Sequence, residues 1–572
     1  MKVTFVGIGS EQLAISLLSA VLQREGHETA LAFNPALFDY DGFLDVAPLA
    51  RAFDRTDALI DEIVEGQPDL LAFSVLTAAY QWSVRVATEV KDRTGVPVVF
   101  GGVHPSAVPD VCLENAAVDY VCVGEGEEAI VALCEAIEGG ARRPSQPIPN
   151  LRWIEDGRMV VGPPSPFLPE LDSLPDFDKH LWDGEIRIAD QWMTMASRGC
   201  PYRCTFCFNN FFAKIPGKGG GKYLRRRSVD RVIGELVQAK ADFGIRRVDF
   251  EDDIFTTDKA WIEEFTERYR AEVDLPFQCL VHPRFVDHDI ARWLKEAGCQ
   301  HVQMGVQSVD EEYKRHQLLR MESDSHLRNS LAALADADLG LKLDHILGLP
   351  GEPKHAQELA REIYSEFPPR RIQTFWLVHL PGVELTTGAV ERGELTQAAY
   401  DELSRGAVHR YHVPEVEGGT QKEADAQFYR RYELLFRLMT VVPKRHAPKL
   451  RVEQMPTLPG GVTHAIGIVL EAANAVKNRD SETWNYLRFY ARQGPRLVRK
   501  KVVDRRLGRR RSTRRDARGR GVSFGLHDQR TPLAPGAPAP IESSSCGTGS
   551  CGTDEATAAP VRVELRARPH RS

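Results

Sequence analysis

The sequence predicts an α/β protein in which a doubly wound parallel-sheet domain precedes a partial (β/α) barrel of the TIM type. Three observations support this fold class. Short apolar runs alternate with helical patterns over residues 1–135, a second strand–helix series runs from residue 192 to residue 380, and the pattern becomes helical after about Gly419. Buried strands that alternate with helices form parallel sheets, because parallel strands need a crossover connection.

Five predicted strands and four predicted helices make up the first domain. The strands are Val3–Val6, Thr29–Phe33, Leu70–Phe73, Val96–Phe100 and Tyr120–Val123. The helices are Leu13–Arg24, Thr56–Glu65, Trp82–Lys91 and Glu127–Ile137. A doubly wound sheet binds its ligands outside the carboxyl ends of its strands, so these ends are where a site is expected.

The second series has six predicted strands with helical patterns between them. They are Trp192–Ser197, Arg247–Phe250, Phe277–Val281, His301–Val306, Leu341–Leu347 and Ile372–Leu380. Six strand–helix repeats, without the length for two more, indicate an incomplete barrel. Its chemistry is again expected at the carboxyl ends of the strands.

The boundaries between segments follow from shifts in composition. We expect a doubly wound domain (1–143), a Pro-rich linker (144–189), the partial barrel (190–415), a helical C-terminal region (416–495) and a tail (496–572) that is first basic and then low in complexity. The tail has few large apolar residues after Leu533, so disorder is predicted for it.

Composition and charge narrow the class of protein. Hydrophobic residues make up 42% and charged residues 27% of the chain, which is typical of a soluble globular protein. The net charge is −7, which argues against a nucleic-acid partner, although residues 496–520 hold thirteen Lys or Arg and two Asp. No secretory signal or membrane span is predicted, so the cytoplasm is the expected location.

Small residues follow three of the predicted strands in the first domain. They lie in the sequences Ser74-Val75-Leu76-Thr77, Gly101-Gly102 and Gly124-Glu125-Gly126. Gly permits the close approach of a large flat ligand or of a phosphate. The alternative is that these glycines merely end their strands.

Cys200, Cys204 and Cys207 form a cluster directly after the first predicted barrel strand. Structural zinc takes four protein ligands, and no fourth Cys or well-spaced His lies near this cluster. Three thiolates suit a cubane iron–sulfur cluster with one iron left open. A zinc site and inert core cysteines remain the alternatives. Two further cysteines, Cys546 and Cys551, lie in the predicted disordered tail, where a plain tail is favoured over a redox or metal role.

This loop resembles the CxxxCxxC signature of the radical SAM superfamily, in which an aromatic residue precedes the last Cys, as Phe206 does here. The resemblance continues at the ends of later barrel strands. It implies that S-adenosylmethionine is bound by Phe206, Glu251, Asp252, Asp253, Gln307, Ser308 and Gly348. Many relatives carry Glu where this chain has Gln307. For Asp252 and Asp253 the alternative is a pair of solvated surface acids.

The first domain resembles the cobalamin-binding domain that precedes many radical SAM domains, and the two resemblances together span about residues 1–415. The implied cobalamin-binding residues are Ser74, Leu76, Thr77, Gly101, Gly102, Gly124, Glu125 and Gly126. The DxHxxG motif that supplies a lower His ligand elsewhere is absent, because the loop after the first strand reads Gly7 to Gln12 without His. We expect neither His27 nor His104 to ligate cobalt.

The two resemblances together imply an enzyme. Its cofactors would be a 4Fe-4S cluster, S-adenosylmethionine and cobalamin. It would cleave S-adenosylmethionine to a 5′-deoxyadenosyl radical and methylate an unactivated carbon of a small molecule or natural product. A flavodoxin- or ferredoxin-type electron donor is the implied protein partner. Radical rearrangement or ring closure without methyl transfer is the first alternative, and a corrinoid- or redox-sensing binding protein is the second.

Overall fold

The computed structural model describes residues 1–38, 46–140, 143–217, 219–407, 423–478, 483–499 and 562–564. The first domain is a sheet with helices on both faces, as predicted. Its strands are β1 (Lys2–Ile8), β2 (Glu28–Asn34), β3 (Leu70–Ser74), β4 (Val98–Gly101), β5 (Tyr120–Cys122), β6 (Leu151–Glu155) and β7 (Arg158–Val161). Its helices are α1 (Leu13–Arg24), α2 (Ala47–Phe53), α3 (Thr56–Gly66), α4 (Tyr80–Thr94), α5 (Val103–Ala107), α6 (Pro109–Leu113) and α7 (Glu127–Glu138).

Strands β1 to β5 are parallel, in the spatial order β5-β4-β3-β1-β2. The strands are apolar on both faces because helices cover both: Phe5 packs in one core cluster and Val6 in the other. The carboxyl ends of β3, β4 and β5 lie side by side. The predicted glycine-rich ends therefore meet at one edge of the sheet.

A β-hairpin in the predicted linker corrects the boundary drawn at residue 143. Strands β6 and β7 pair antiparallel with each other, and β6 pairs with β5, so they extend the first sheet. Leu151 and Trp153 alternate with partly exposed residues, and Asp156 and Gly157 both have positive φ, at 49° and 74°. An Asp-Gly turn of this kind is a strong hairpin signal, which the richness in Pro on either side obscures.

The second unit is a six-stranded, all-parallel sheet, which confirms the predicted partial barrel. Its strands are β8 (Trp192–Thr194), β11 (Val248–Phe250), β12 (Phe277–Val281), β13 (Cys299–Gln307), β14 (Gly340–Leu347) and β15 (Arg371–Trp376), in that spatial order. Along the chain, the segment between β8 and β11 contains a separate two-stranded antiparallel ribbon of β9 (Ser197–Arg198) and β10 (Arg225–Arg226).

Helices join these strands. They are α8 (Phe208–Phe212), α9 (Val229–Phe243), α10 (Lys259–Arg268), α11 (His288–Glu296), α12 (Glu311–His316), α13 (Asp324–Asp336), α14 (His355–Glu366), α15 (Glu384–Glu391) and α16 (Gln397–Ser404). Several begin at a capping side chain that accepts from a backbone N–H of the first turn, as Ser228 does from Arg231 and Asp258 from Trp261. The caps fix where each crossover helix starts relative to its strand.

Three C-terminal helices lie near the open edges of the barrel, at β8 and β15. They are α17 (Glu423–Val441), α18 (Gly460–Asn478) and α19 (residues 483–499). Asn474 of α18 donates to the carbonyl of Arg370, just before β15, and Arg492 of α19 pairs with Asp190, just before β8.

The predicted disorder of the tail from residue 496 is wrong for two stretches. Residues 496–499 continue α19, whose position is held by the contacts of Arg492 and Gln493. Residues 562–564 form β16, which pairs antiparallel with β7. The remainder of the tail, including Cys546 and Cys551, and the predicted boundary at residues 415 and 416 lie outside the described residues.

Candidate functional site

The three clustered cysteines lie in the loop between β9 and α8. Cys204 is buried, and Cys200 and Cys207 are half-buried. Burial, with a smaller contribution from the neighbouring thiols, raises the pKa of Cys200 to about 12 and that of Cys207 to about 11. The three thiols are therefore close enough to affect one another, and a bound metal would be needed to deprotonate them at neutral pH.

The donor set fits a cubane better than a single ion. In the described residues, no group of three His, Cys, Asp or Glu side chains is arranged to hold one metal ion. A cubane instead takes each thiolate on a different iron, so its ligands surround a larger body. The Arg320 guanidinium, which pairs with Glu322 at 2.6 Å, also lies beside the Cys204 thiol and would place a positive charge next to a thiolate.

The three acids after β11 have different environments. Glu251 is half-buried and lines a cavity that also contains Asp253. Asp253 is exposed and accepts from Asn209 Nδ2 at 2.7 Å, beside the cysteine loop. Asp252 is fully buried, and its carboxylate accepts from the backbone N–H of Ala196 at 3.0 Å and from the Ser197 hydroxyl. Glu251 and Asp253 thus face the cavity, whereas Asp252 holds β8 and β9 together.

The residues at the ends of β13 and β14 that were predicted to bind S-adenosylmethionine mostly make contacts that support the backbone. Gln307 lies at a bulge in β13 with φ of 66°. Ser308 is fully buried and donates to Glu352 at 2.5 Å. Burial raises the pKa of Glu352 to about 7. Gly348 has φ of 79°, which an L side chain rarely adopts.

Phe206 packs against the apolar cluster of Tyr313, Leu318, Ile346 and Leu349. This contact joins the cysteine loop to the carboxyl end of β14. The aromatic residue therefore anchors the loop over the barrel mouth.

The carboxyl edge of the first sheet is open at its glycines. Ser74, Gly101 and Gly102 line a cavity of about 400 Å³. Leu76 is 52% exposed at the same edge. Thr77, by contrast, is 2% exposed and lies 3.3 Å from His104, away from the cavity.

Gly124 and Gly126 line the same cavity, but the carboxylate of Glu125 between them is committed to ion pairs. It accepts from Arg225 at 2.7 and 3.0 Å and from Arg198 at 3.1 Å, and Arg198 also donates to Glu127 at 2.5 Å. Although burial acts to raise it, the pKa of Glu125 is lowered by these two arginines. Glu125 therefore ties the first domain to the strand that precedes Cys200.

Replacing Glu125 by Gln should weaken this connection. The substitution leaves buried Arg225 without its carboxylate and Arg198 with Glu127 alone, at a cost of about 3 kcal/mol in the free energy of unfolding. Urea unfolding of the apoprotein measures it, with Glu128→Gln, an exposed neighbour on α7, as the matched control. Equal stability of the two variants would contradict the assigned role of Glu125.

The two histidines considered for cobalt lie away from the cavity. His27 lies 3.3 Å from the N-terminal amine, before β2 and at the opposite edge of the sheet. His104 is fully buried, packs on Tyr80 and has its pKa lowered to about 4 by burial. In the loop after β1, buried Glu11 pairs with buried Lys179. Binding of cobalamin without a protein His stays a prediction.

The cavity joins the two units. On one side it is lined by the glycines that follow β4 and β5, and on the other by Arg198, Asn209, Tyr223 and Asp253. Sequence reasoning missed Tyr223, whose hydroxyl bonds to Asn209, and Arg225. The only indication of them in the sequence was the basic run that includes Arg225. A buried arginine needs an acidic or carbonyl partner, so each member of this run predicts one.

Two family models match the chain. The B12 binding domain matches residues 6–134, and the radical SAM superfamily matches residues 195–363. These spans coincide with the first sheet and with the barrel. The cysteine loop and the glycine-rich edge both fall inside them.

Among curated relatives, an uncharacterized methyltransferase of Pyrococcus horikoshii is 28% identical over 53% of this chain and 62% of its own length. An anaerobic magnesium-protoporphyrin IX monomethyl ester cyclase of Cereibacter sphaeroides is 24% identical over 53% of this chain and 50% of its own length. The chain thus spans between half and two thirds of the length of these relatives.

Among solved structures, the radical S-adenosylmethionine methyltransferase TsrM of Kitasatospora setae, with cobalamin and a [4Fe-4S] cluster bound, superposes with a TM-score of 0.59. The match covers 84% of this chain and 99% of that one at 14% identity, so it shows a shared fold. The chain therefore carries a B12 binding domain over residues 6–134, followed by a radical SAM domain over residues 195–363.

Proposed function

We propose that this protein is a cobalamin-dependent radical SAM enzyme that methylates an unactivated carbon of a small molecule. The observation that carries the proposal is the single cavity that reaches from the glycine edge of the B12 binding domain to the cysteine loop. When bound, the 4Fe-4S cluster supplies the electron that cleaves S-adenosylmethionine, and cobalamin supplies the methyl group. Proximity between the two sites is the physical reason to join the domains.

The residues of the chain bind and orient the cofactors, and they exclude water from the site. Cys200, Cys204 and Cys207 hold the cluster, and Glu251 and Asp253 accept hydrogen bonds from the amino group of S-adenosylmethionine. Asp252 serves this arrangement indirectly, because it fixes the backbone before the cysteine loop. The residues that narrow the cavity between the domains, Tyr223 among them, limit access of water to a reactive radical.

Cobalamin should bind without a protein imidazole below the cobalt. Of the residues that the structure describes, no histidine lines the cavity, and Glu11 in the loop after β1 pairs with Lys179. Electron paramagnetic resonance of bound cob(II)alamin measures this directly. A superhyperfine splitting from an axial nitrogen would show that a histidine or another nitrogen ligand had been missed.

Methyl transfer is tested by isotope labelling. The reconstituted enzyme is supplied with methyl-deuterated S-adenosylmethionine and candidate substrates, and products are identified by mass spectrometry. We expect a deuterated methyl group in the product, with one S-adenosylhomocysteine and one 5′-deoxyadenosine formed per turnover. A product without the label would refute methylation.

Ring closure or rearrangement is the second candidate, and the cyclase relative favours it. This outcome would consume S-adenosylmethionine to give 5′-deoxyadenosine without S-adenosylhomocysteine. A binding protein that only senses corrinoid or redox state would produce neither compound. The same mass-spectrometric experiment therefore separates the three candidates.

We also propose that the electron comes from a flavodoxin- or ferredoxin-type protein. The basic stretch of residues 496–520 would attract an acidic partner, an effect that salt would weaken. None of the helices that the structure describes is both long and apolar enough to cross a membrane. We propose the cytoplasm as the location, where such donors are found.

A further inference from the structure

A second cavity, of about 790 Å³, lies inside the barrel and is separate from the cavity between the domains. Its walls come from the inner face of the barrel strands, from the loop after β1, from residues 184–191 before β8, and from α19, which contributes Asn485, Gln493 and Arg496. Its volume is in the range of small-molecule sites. Glu251 lines both cavities, so a molecule bound here would adjoin the S-adenosylmethionine site.

Glutamine side chains from three strands line this second cavity. They are Gln278 of β12, Gln303 of β13 and Gln373 of β15. The neighbouring residues Cys279, Met304 and Ile372 pack in the outer core, as the alternation of a strand requires. The glutamines therefore point to the inside of the barrel, where an apolar residue would be ordinary.

Buried acids decide which way two of these amides face. Gln278 donates through Nε2 to Asp249 at 2.8 Å, and Gln303 donates through Nε2 to both oxygens of Asp344 at 2.9 and 3.1 Å. A carboxylate only accepts hydrogen bonds, so the NH₂ group must face it and the carbonyl oxygen must face away. Each amide therefore presents its carbonyl oxygen, a hydrogen-bond acceptor, on the side away from the carboxylate.

The carbonyl oxygens of the three glutamines lack a donor. In the part of the chain that the structure describes, no group donates to Oε1 of Gln278 or Gln303, and Oε1 of Gln373 is buried without a hydrogen bond. A buried acceptor without a partner costs about 1–3 kcal/mol, so Gln373 calls for a donor. The carbonyls of Gln278 and Gln303, which are not fully buried, offer two further acceptors to a molecule in the cavity.

We propose that this cavity binds the substrate and that the substrate carries several hydrogen-bond donors, hydroxyl or ammonium groups, which the three glutamine carbonyls recognise. This inference rests on the proposed function, because only that function makes the bound molecule a substrate. It goes beyond that function in naming the chemical class. Helix α19 closes the cavity through Arg492, which pairs with Asp190, and Gln493, which donates to the carbonyl of Glu185.

Three sugars of one size test the class by equilibrium dialysis against the reconstituted holoenzyme with S-adenosylmethionine. Glucosamine offers ammonium and hydroxyl groups, glucose offers hydroxyl groups, and glucuronate adds a carboxylate. We expect glucosamine or glucose to bind at least tenfold more tightly than glucuronate. Tighter binding of glucosamine assigns an ammonium group, and equal binding of the two assigns hydroxyl groups. Preferential binding of glucuronate, or no binding of any sugar, would overturn the proposal.

Matched variants locate the binding. Gln303→Leu and Gln373→Leu each remove an acceptor and should weaken binding about tenfold, whereas Gln238→Leu on the exposed face of α9 should not change it. Iron and cobalamin content identifies variants that fail to fold. Unchanged binding in both inner variants with full cofactor content would refute the assignment. Dialysis needs no turnover, so its result is independent of whether S-adenosylhomocysteine forms.

Discussion

Replacing Cys200, Cys204 or Cys207 by Ala should abolish the iron–sulfur cluster. Two thiolates cannot hold a cubane whose fourth iron is left open for S-adenosylmethionine, so the loss should be complete rather than partial. Iron and sulfide per chain, measured after anaerobic reconstitution, would fall from about four of each to near zero. Production of 5′-deoxyadenosine would be lost with them.

The control for this series is Cys134→Ala. Cys134 is a fully buried cysteine of α7 in the core of the first domain, far along the chain from the loop. Its replacement removes a thiol without touching the cluster, so iron content should be unchanged. Near-normal iron in any of the three loop variants would overturn the ligand assignment.

Gly101→Trp should exclude cobalamin while leaving the cluster in place. A Cβ at Gly101 would meet its nearest neighbour, Cys122 Cβ, at 3.7 Å, which is ordinary contact, so the backbone tolerates a side chain there. The indole would then occupy the cavity that the glycine edge lines. Cobalamin per chain, measured by its absorbance after reconstitution, should fall at least tenfold at equal iron content.

Gly101→Ala is the matched control, and it should retain cobalamin. Gly102 is unsuitable for this test, because its φ is +100° and a Cβ there would lie 2.8 Å from the backbone nitrogen of Val75. A side chain at Gly102 would disrupt the ends of β3 and β4 themselves. Undiminished cobalamin in Gly101→Trp would place the corrin elsewhere.

The architecture could be predicted from the sequence because local patterns determine it. Alternation of apolar strands with capped helices predicts two parallel sheets, and the cysteine spacing lies within eight residues. The hairpin of β6 and β7 was missed because its Asp156-Gly157 turn lies in a stretch rich in Pro. The local turn signal was present and was outweighed by composition.

The roles of individual acids could not be read in the same way. Asp252 and Asp253 are neighbours in sequence. Asp252 is buried and accepts from the backbone N–H of Ala196, whereas Asp253 is exposed and accepts from Asn209. The partner of Glu125, Arg225, is 100 residues away along the chain. Such pairings depend on how two domains meet, which no local pattern encodes.

The position of α19 sets an order of events during synthesis. Arg492 pairs with Asp190 across 302 residues, so the barrel interior stays open until residues 483–499 have left the ribosome. All six barrel strands can assemble before that point. In a chain whose six strands have assembled before residues 483–499 emerge, the inner glutamines would face solvent, and α19 would close the cavity afterwards.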